Sequence, residues 1–415
     1  MIKAILTLVV TMLTARYLGT ANYGLVNYAA SIVTFAAPIM QLGINALLVH
    51  EITMDEEHEG QILGTAITLN LLSAVLCIIG ITSFAAIATA SEKDTIMVCF
   101  LYSFLLIFQA LEMIQYWFQA KLLSKYFAIA TLAAYSCVTL YQIVILVSHK
   151  GVYWFALTNA VEYMVLAVLL LGMYRIKGNQ KLSFSKSVAK RLLHNGKYYI
   201  LSGMMVTIFS QTDRIMLKFM EGNEVVGLYA AAITCANMAD FVFVAIIDSF
   251  RPVLFYDKKT DQRLFEENLS ALYSLIIYSS LICGFLMSLC APVVIHILYG
   301  GQYNGAVNIL RIVAWYITFS FLGTIRDIWI LSEGKQRLLW KINLFGVLCN
   351  IILNLLFIHC WGALGAAAAS LLTQIFTNLI IGFLMKEIRP NNIIMVRGLN
   401  PGILIQQIRK QMKSH

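Results

Sequence analysis

Charged residues are scarce in this chain. Of its 415 residues only 12% are Asp, Glu, Lys or Arg, whereas 60% are hydrophobic. A soluble core of this size cannot bury so large an apolar fraction, so the composition predicts a membrane protein. A transmembrane helix needs roughly 20 apolar residues, so the length leaves room for about twelve spans and excludes a sizeable soluble domain.

Proline and paired cysteine are also rare. The 5 prolines scarcely interrupt the apolar runs, which favours long helices. The 8 cysteines lie in or at the ends of apolar runs, and none belongs to a Cys-x-x-Cys pair. This placement disfavours a disulfide framework or a thiolate metal site, and we interpret the thiols as small buried apolar residues. We expect neither a metal nor a cofactor.

Catalytic motifs are missing as well. The sequence has no phosphate-binding loop, no His-Glu-x-x-His and no Gly-x-Ser-x-Gly, and its 7 histidines fall at span ends, in loops or at the terminus. The predicted outer loops are too short to hold the active site of a glycosyltransferase, ligase or polymerase. The chain is therefore predicted to be a transporter and not an enzyme.

Apolar runs between polar breaks predict an all-α membrane protein with about twelve transmembrane helices. The longest connection divides them into two sets of six. The predicted segments are an N-terminal six-helix lobe (1–174), a basic cytoplasmic linker (175–196), a C-terminal six-helix lobe (197–386) and a basic cytoplasmic tail (387–415). Most of the 30 Lys and Arg residues fall on one side, which places both termini in the cytoplasm by the positive-inside rule. The inner loop 50–60 is acidic instead.

The two halves show internal similarity at an offset of 203 positions. Four residues of the first outer turn recur in the turn after the first helix of the second half. The pairs are Gly19 and Gly222, Gly24 and Gly227, Leu25 and Leu228, and Ala29 and Ala232. With six spans in each half, the copies are predicted to be related by an axis along the membrane normal.

Polar residues within the predicted spans recur at helical spacing on one face. Lipid offers them no hydrogen bonds, so each stripe faces a neighbouring helix or an aqueous cavity, and for the neutral residues both interpretations stay open. Ionisable residues are costly in a membrane and are functional candidates by default. The candidates for lining a substrate cavity are Arg16, Arg214, Arg326, Arg311, Lys218, Gln41, Asn45 and Gln211. The candidates for ion coupling are Glu112, Asp213, Asp240 and Asp248.

Structural alternatives exist for several of these charges. Arg16, Lys218 and Arg311 lie near predicted helix ends, where a long side chain reaches the interface. Asp213 with Arg214, and Arg326 with Asp327, are adjacent pairs that alternatively bridge to a neighbouring span. Arginine matches phosphate oxygens in a bidentate way, and Asn and Gln suit sugar hydroxyls. An interior of this kind favours an anionic, hydroxyl-rich cargo over a hydrophobic cation.

Short motifs recur in order along nearly the whole chain. They include Ala-Arg-Tyr-Leu-Gly (15–19), Asn-Tyr-Gly (22–24), Thr-Asp-Arg-Ile-Met-Leu (212–217), Val-Gly-Leu-Tyr-Ala-Ala-Ala (226–232) and Trp-Gly-Ala-Leu-Gly-Ala-Ala (361–367). The set resembles the polysaccharide biosynthesis flippases, the Wzx-like branch of the MOP superfamily that also holds the MATE exporters and the lipid II flippases. The resemblance implies two lobes forming a V around a cationic central cavity. It covers Arg16, Asp213, Arg214 and Arg311 directly.

The resemblance also implies an activity. The expected substrate is a polyprenyl (undecaprenyl) diphosphate-linked oligosaccharide, moved by alternating access from the inner to the outer leaflet of a bacterial inner membrane for O-antigen, lipopolysaccharide or capsule synthesis. Membrane lipids, a coupling H⁺ or Na⁺, and the polysaccharide polymerase and assembly enzymes are the expected partners, and nucleic acid is not. Two alternatives stay open: a MATE-type ion-coupled drug or cation antiporter, and a non-transporting scaffold for sugar-assembly enzymes.

The first apolar run departs from the family pattern. Family members usually carry a short polar leader and a longer first helix, whereas only Met1 to Tyr17 precede the first outer turn here. Seventeen residues span about 25 Å, which is marginal for a bilayer. Either the start is truncated or the first helix sits askew.

Overall fold

The protein is described by a computed structural model that covers residues 2–89, 92–178, 180–400 and 402. Its described residues form helices joined by short turns, with no strand among them. They cluster into two compact units, the first ending at Gly227 and the second beginning at Leu228. The predicted all-α class is confirmed.

The first unit is built from ten helices and the start of an eleventh. They are α1 (Ile2–Met40), α2 (Asn45–Met54), α3 (Glu59–Ala88), α4 (Lys93–Ser103), α5 (Leu105–Leu111), α6 (Ile114–Ala120), α7 (Ser124–Val147), α8 (Val152–Ala156), α9 (Thr158–Lys177), α10 (Lys186–Glu221) and the beginning of α11 (Asn223–Ala236). Leu48, Ile62 and Trp117 belong to the buried core where α2, α3 and α6 meet.

The second unit continues from within α11 through six further helices. They are α12 (Asp240–Thr260), α13 (Gln262–Tyr299), α14 (Ala306–Ser332), α15 (Arg337–Ile375), α16 (Ile381–Leu384) and α17 (Arg389–Arg397). A π-helix, Phe376–Ile380, joins α15 to α16.

Large apolar side chains cover the outside of both units. Leu76 and Ile79 of α3 are 69% and 58% exposed, and Leu289 and Ile297 of α13 are 64% and 63% exposed. Faces of this size are unfavourable in water and match the hydrocarbon of a bilayer. Both units therefore carry the surface of a membrane protein.

Nine stretches of the described residues are long and apolar enough to cross a membrane. The sequence predicts about twelve, and that count is not confirmed. The first two predicted runs share the stretch Val9–Met54, and the last two share Arg337–Leu384. The third difference is α10, which is not among the nine and whose last turns carry the charges of Asp213, Arg214 and Lys218.

One predicted polar stripe is interrupted. The spacing places Gln41 and Asn45 on a single helix, but α1 ends at Met40 and α2 begins at Asn45. The left-handed conformations of Leu42 (φ 52°) and Gly43 (φ 64°) end the helix between them. The two side chains still meet, because Asn45 Nδ2 donates to Gln41 Oε1 at 2.8 Å.

The repeated outer turns share their backbone conformation. Gly19 has φ 73° and ψ 173°, and its counterpart Gly222 has φ 90° and ψ −176°. This region of conformational space is essentially restricted to glycine. The similarity found between four residue pairs therefore extends to the backbone.

Part of the basic linker packs against the start of the third helix. We call this part, residues 180–185, the strap. Its Gln180 Nε2 donates to the carbonyls of Glu56 (2.9 Å) and Glu57 (3.0 Å), and its Oε1 accepts from the Gly60 amide at 2.9 Å. The Ser185 amide donates to Thr65 Oγ1 at 2.9 Å. The strap therefore lies along the start of α3.

Ion pairs explain why the inner loop 50–60 is acidic. Lys121 Nζ lies 2.9 Å from Glu59 Oε2 and 3.3 Å from Glu56 Oε2, and Arg191 Nε of α10 lies 3.0 Å from Glu51 Oε2. The Glu59 carboxylate, helped by Glu56, raises the pKa of the Lys121 amine. The acidic loop thus neutralises basic residues from two other parts of the first unit.

Candidate functional site

Arg214 is a candidate arginine whose charge is not paired within the described part of the chain. It is half-buried on α10 and forms no ion pair or hydrogen bond with another described residue. Its charge acts at longer range on the hydroxyl of Tyr102 in α4, where the opposite charge of Glu162 in α9 also acts. A half-buried arginine without a bonded counter-charge among the described residues is a natural anchor for an anion.

Tyr102 borders a cavity in the first unit. The Tyr102 hydroxyl accepts a hydrogen bond from Asn159 Nδ2 at 2.5 Å. Beside it lies a cavity of about 180 Å³, which we call the Tyr102 cavity. Its lining residues, all uncharged, are Thr11, Thr14, Tyr23, Val26, Asn27, Ala30, Tyr102, Gln142, Phe155, Thr158 and Asn159.

The kink in α1 explains how one helix supplies two walls of this cavity. Thr11 and Thr14 precede Gly19 and are three residues apart, whereas Tyr23 and Asn27 follow it and are four residues apart. Residues at these spacings share a helix face. The change of direction at Gly19 therefore presents both faces to the same space.

Two hydroxyl groups in the lining lack partners. Thr14 Oγ1 and Thr158 Oγ1 are buried and accept or donate no hydrogen bond among the described residues. Thr158 is only 7% exposed. Buried polar groups are nearly always hydrogen-bonded, so these two oxygens have unmet hydrogen-bonding capacity.

Lys218 was predicted to line the substrate cavity, and the structure pairs it with Glu92. Lys218 Nζ lies 2.7 Å from Glu92 Oε2, with side chains 5% and 54% exposed. The hydrogen bonds from Lys218 and Thr95 hold the pKa of the Glu92 carboxyl below its usual range. The charge of Lys218 is therefore already balanced within the protein.

Arg326 also forms hydrogen bonds and an ion pair within the protein. It is 4% exposed, and its Nη1 donates to the Thr377 carbonyl at 2.7 Å and to Asn378 Oδ1 at 2.9 Å. Its Nη2 donates to Asp327 Oδ1 at 2.8 Å. The two acceptors of Nη1 belong to the π-helix, whose wider turn alters the usual helical bonding. Arg326 thus pairs with its own neighbour Asp327 and hydrogen-bonds to the π-helix, whereas the structural alternative predicts an ion pair to another span.

Arg311, Arg16 and Gln211 are less buried than Arg326. Arg311 is exposed and donates to Asn308 Oδ1 at 3.1 Å, and Arg16 is exposed. Gln211 is half-buried and lies three residues before Arg214 in the sequence. Its Oε1 is buried with no hydrogen-bond partner among the described residues. Of this group, Gln211 is the side chain with unmet polar capacity.

The four carboxylate candidates differ in their surroundings. Asp248 is exposed and paired with Arg251 at 3.2 Å, and Asp213 is buried. Glu112 is half-buried, and its charge acts on Tyr116 and Tyr163. Asp240 is half-buried at the start of α12 and forms no ion pair in the described part of the chain. Within that part, no cluster of His, Cys, Asp and Glu has the makings of a metal site.

Sequence reasoning missed most of the Tyr102 cavity. Tyr102, Gln142, Thr158 and Asn159 are not among the candidates that the sequence offers. The available signal was the adjacent pair Thr158 and Asn159 within an apolar run.

The fold is that of solved membrane transporters. The structure superposes on the lipid II flippase MurJ in an inward closed conformation with a TM-score of 0.75, at 13% identity, covering 100% of this chain and 91% of that one. It superposes on an inward-facing multidrug resistance MATE transporter of the MOP superfamily with a TM-score of 0.73, at 14% identity, covering 95% and 96% of the two chains.

The chain belongs to the polysaccharide biosynthesis protein family, whose model matches residues 1–256. The resemblance inferred from the motifs is thereby confirmed. A capsular polysaccharide biosynthesis protein of Staphylococcus aureus is 21% identical over 92% of this chain and 94% of its own length. An uncharacterized membrane protein of Methanocaldococcus jannaschii is 27% identical over 52% of this chain, and the match spans 46% of that protein's length.

Proposed function

We propose that this protein is a flippase that carries a polyprenyl-diphosphate-linked oligosaccharide from the inner to the outer leaflet of the cytoplasmic membrane for surface polysaccharide synthesis. The observation that carries the proposal is Arg214, a half-buried arginine without an ion pair among the described residues. Membership of the polysaccharide biosynthesis family supports the class of cargo. The fold shared with transporters supports movement of a substrate over catalysis.

The chemistry of a diphosphate fits an unpaired guanidinium. Taking a charge out of water is costly unless an opposite charge accompanies it. A diphosphate supplies that charge with oxygens spaced for bidentate hydrogen bonds, while the polyprenyl tail remains in lipid. Arg214 therefore recognises the part of the cargo that is common to all lipid-linked repeat units.

In this proposal, alternating access takes place between the six-helix lobes 1–174 and 197–386, with the linker 175–196 and the tail 387–415 in the cytoplasm. Residues 401 and 403–415 of that tail lie outside the described residues. The positive-inside distribution of Lys and Arg supports this orientation. The polymerase and assembly enzymes that use the exported repeat unit are the proposed protein partners.

The proposed ion-coupling residue is Asp240. Unlike Asp248, which pairs with Arg251, it forms no ion pair among the described residues. A half-buried carboxylate without a bonded cation is suited to binding H⁺ or Na⁺. Asp240→Asn is expected to abolish the ion dependence of transport in proteoliposomes, and Asp248→Asn is the matched control. Unchanged ion dependence in Asp240→Asn excludes this residue.

The flippase function is tested by the sidedness of the lipid-linked glycan in spheroplasts. In cells without the protein, and in cells carrying Arg214→Gln, the glycan is expected to accumulate on the inner leaflet. Arg311→Gln, which removes an exposed arginine, is expected to leave sidedness unchanged. If Arg214→Gln and the deletion both show normal sidedness in a strain without a second flippase, the proposal is wrong.

The MATE-type antiporter is the second candidate, favoured by the TM-score of 0.73 to a multidrug transporter. It predicts that deletion sensitises cells to cationic drugs and that Arg214→Gln preserves resistance. The scaffold alternative uses the basic linker and the basic tail as docking segments. The strap part of that linker is already bonded to residues 56–65.

A further inference from the structure

We infer that the Tyr102 cavity binds a single sugar unit of the cargo, the one nearest the diphosphate. This inference rests on the proposed function and extends it, because it assigns the sugar to a pocket inside the first unit with a lining separate from Arg214.

The lining has the composition of a sugar site. Hydroxyl groups of Thr14 and Thr158, the amide of Gln142 and the amide oxygens of Asn27 and Asn159 are polar groups without net charge. The amide nitrogens of Asn27 and Asn159 already donate to the Tyr23 carbonyl (2.9 Å) and the Tyr102 hydroxyl (2.5 Å). Neutral groups of this kind suit a neutral polyhydroxyl ligand. Rings of Tyr23 and Phe155 supply flat apolar walls of the kind against which the C–H faces of a sugar pack.

Two threonine hydroxyls in the lining have no hydrogen-bond partner among the described residues. Thr158 Oγ1 is buried without a partner, although most Ser and Thr hydroxyls in this protein bond back to their own helix, as Thr82 Oγ1 does to the Ile78 carbonyl at 2.8 Å. In this inference a sugar hydroxyl supplies the hydrogen bond that the Thr158 hydroxyl lacks among the described residues.

The volume suits one sugar ring. A water molecule occupies about 30 Å³ of liquid, so a cavity of about 180 Å³ has the capacity of roughly six waters. A hexopyranose carries six oxygen atoms, each able to take the place of a water. A whole oligosaccharide is far larger, so the site accommodates a single unit and leaves the remaining units outside.

Position links this cavity to the anion site. Tyr102 lines the cavity, and the charge of Arg214 acts on the Tyr102 hydroxyl. In this inference, a diphosphate held by Arg214 places the first sugar unit on the Tyr102 side, at the cavity. The hydrogen bond from Asn159 holds the Tyr102 hydroxyl in place, so the boundary between the two parts of the site is formed before the ligand arrives.

Binding of short-chain probes to the full-length protein in lipid nanodiscs tests the inference. The probes are farnesyl diphosphate and its glucosyl, galactosyl and N-acetylglucosaminyl esters, titrated by calorimetry without sugar-headed detergent. In the wild-type protein at least one ester is expected to bind more tightly than farnesyl diphosphate. Thr158→Val is expected to weaken that ester about tenfold and to leave farnesyl diphosphate unchanged, and Asn159→Leu is expected to do the same.

The control variant is Thr82→Val, which removes a hydroxyl bonded within its own helix and is expected to bind all probes as the wild type does. Thermal unfolding of each variant checks folding, and Thr158→Val is expected to unfold at the wild-type temperature or slightly above it.

The outcomes separate the two proposals. If farnesyl diphosphate binds in an Arg214-dependent way but no ester gains affinity, or if Thr158→Val and Asn159→Leu bind the esters normally, the sugar site is wrong and the flippase proposal stands. If the wild-type protein binds none of the four probes, both proposals are wrong.

Discussion

Gly24 and Gly227 lie 203 positions apart in the sequence and in direct backbone contact in the structure. A Cβ atom at Gly24 would lie 1.8 Å from the Asn223 carbonyl oxygen and 2.7 Å from the Gly227 nitrogen. A Cβ atom at Gly227 would lie 2.0 Å from the Thr20 carbonyl oxygen and 3.1 Å from the Gly24 nitrogen. The offset of 203 that pairs the glycines also pairs Thr20 with Asn223, so each repeat meets the other through equivalent atoms.

This contact predicts that Gly24→Ala and Gly227→Ala both destabilise the protein. The obstructing atoms are backbone atoms, which cannot rotate away, so the helices must separate. Overpacking typically costs about 1–3 kcal/mol, and we expect each variant to reach that range. The measurement is the thermal unfolding temperature of the purified protein. Gly80→Ala is the matched control, since a Cβ there meets no atom within 4 Å. Equal unfolding temperatures for all three would contradict the backbone contact.

The ion pair between Lys218 and Glu92 predicts a pH-dependent stability. Because the folded pKa of Glu92 is lowered, its contribution is fully present above the unfolded pKa of about 4.3 and is lost as the pH falls through the folded pKa. Wild type is therefore expected to unfold at a higher temperature than Glu92→Gln at pH 7. That difference should shrink on acidification below about pH 4.

The size of this effect depends on the unequal exposure of the partners. Lys218 is 5% exposed and Glu92 54%, so the loss in Glu92→Gln is expected between the about 0–1 kcal/mol of an exposed pair and the about 3–5 kcal/mol of a buried one. The double variant Glu92→Gln, Lys218→Met removes the unpaired ammonium and should recover part of the loss. A pH-independent difference between wild type and Glu92→Gln would show that the ion pair is not its source.

The contacts of Arg326 predict a structural role. Arg326→Met leaves the Thr377 carbonyl, Asn378 and Asp327 without their donor and is expected to cost about 3–5 kcal/mol of unfolding free energy. Arg311→Met removes an exposed side chain and is expected to stay within about 0.5 kcal/mol of wild type. Denaturation in detergent of both variants measures the difference. A stable Arg326→Met protein with abolished transport would instead place Arg326 at the substrate.

The strap predicts protection from protease. Gly64→Ala is expected to displace it, since a Cβ there would lie 2.5 Å from the Ser183 nitrogen. Gln180→Ala removes three hydrogen bonds, each worth about 0.5–1.5 kcal/mol. Both variants should be cleaved by trypsin after Lys181 faster than wild type in inverted membrane vesicles. Thr82→Val, which removes a hydroxyl bonded within α3 and away from the strap, is the control. Equal cleavage of all variants would show that the strap is not held by these contacts.

Composition and hydropathy were sufficient to predict an all-α membrane protein, because those properties are set by the solvent and not by tertiary detail. They were insufficient for helix boundaries. The apolar run 95–118 is divided into α4, α5 and α6, although it contains neither proline nor glycine. Breaks of this kind arise from packing against other helices, which a single sequence does not reveal.

The sequence predicted the kinds of residue in the candidate site better than it predicted the individual residues. Helical periodicity identified Arg214, Lys218 and Arg326 as charges within spans, but it carries no information about partners far away in sequence. Lys218 pairs with Glu92, and Arg326 donates to the Thr377 carbonyl, so two of the three charges are already bonded. The neutral hydroxyl of Thr158 gave no periodic signal, since its importance comes from the absence of a hydrogen bond among the described residues.

The division of the chain at Gly227 has a consequence for biogenesis. The first compact unit contains the strap and the whole of α10, although α10 begins the second repeat by sequence. A ribosome that has finished the first six predicted spans has therefore not yet delivered the helix that packs along α1. Folding of the first unit must wait for the opening segment of the second repeat to enter the membrane, so insertion of the two repeats overlaps in time.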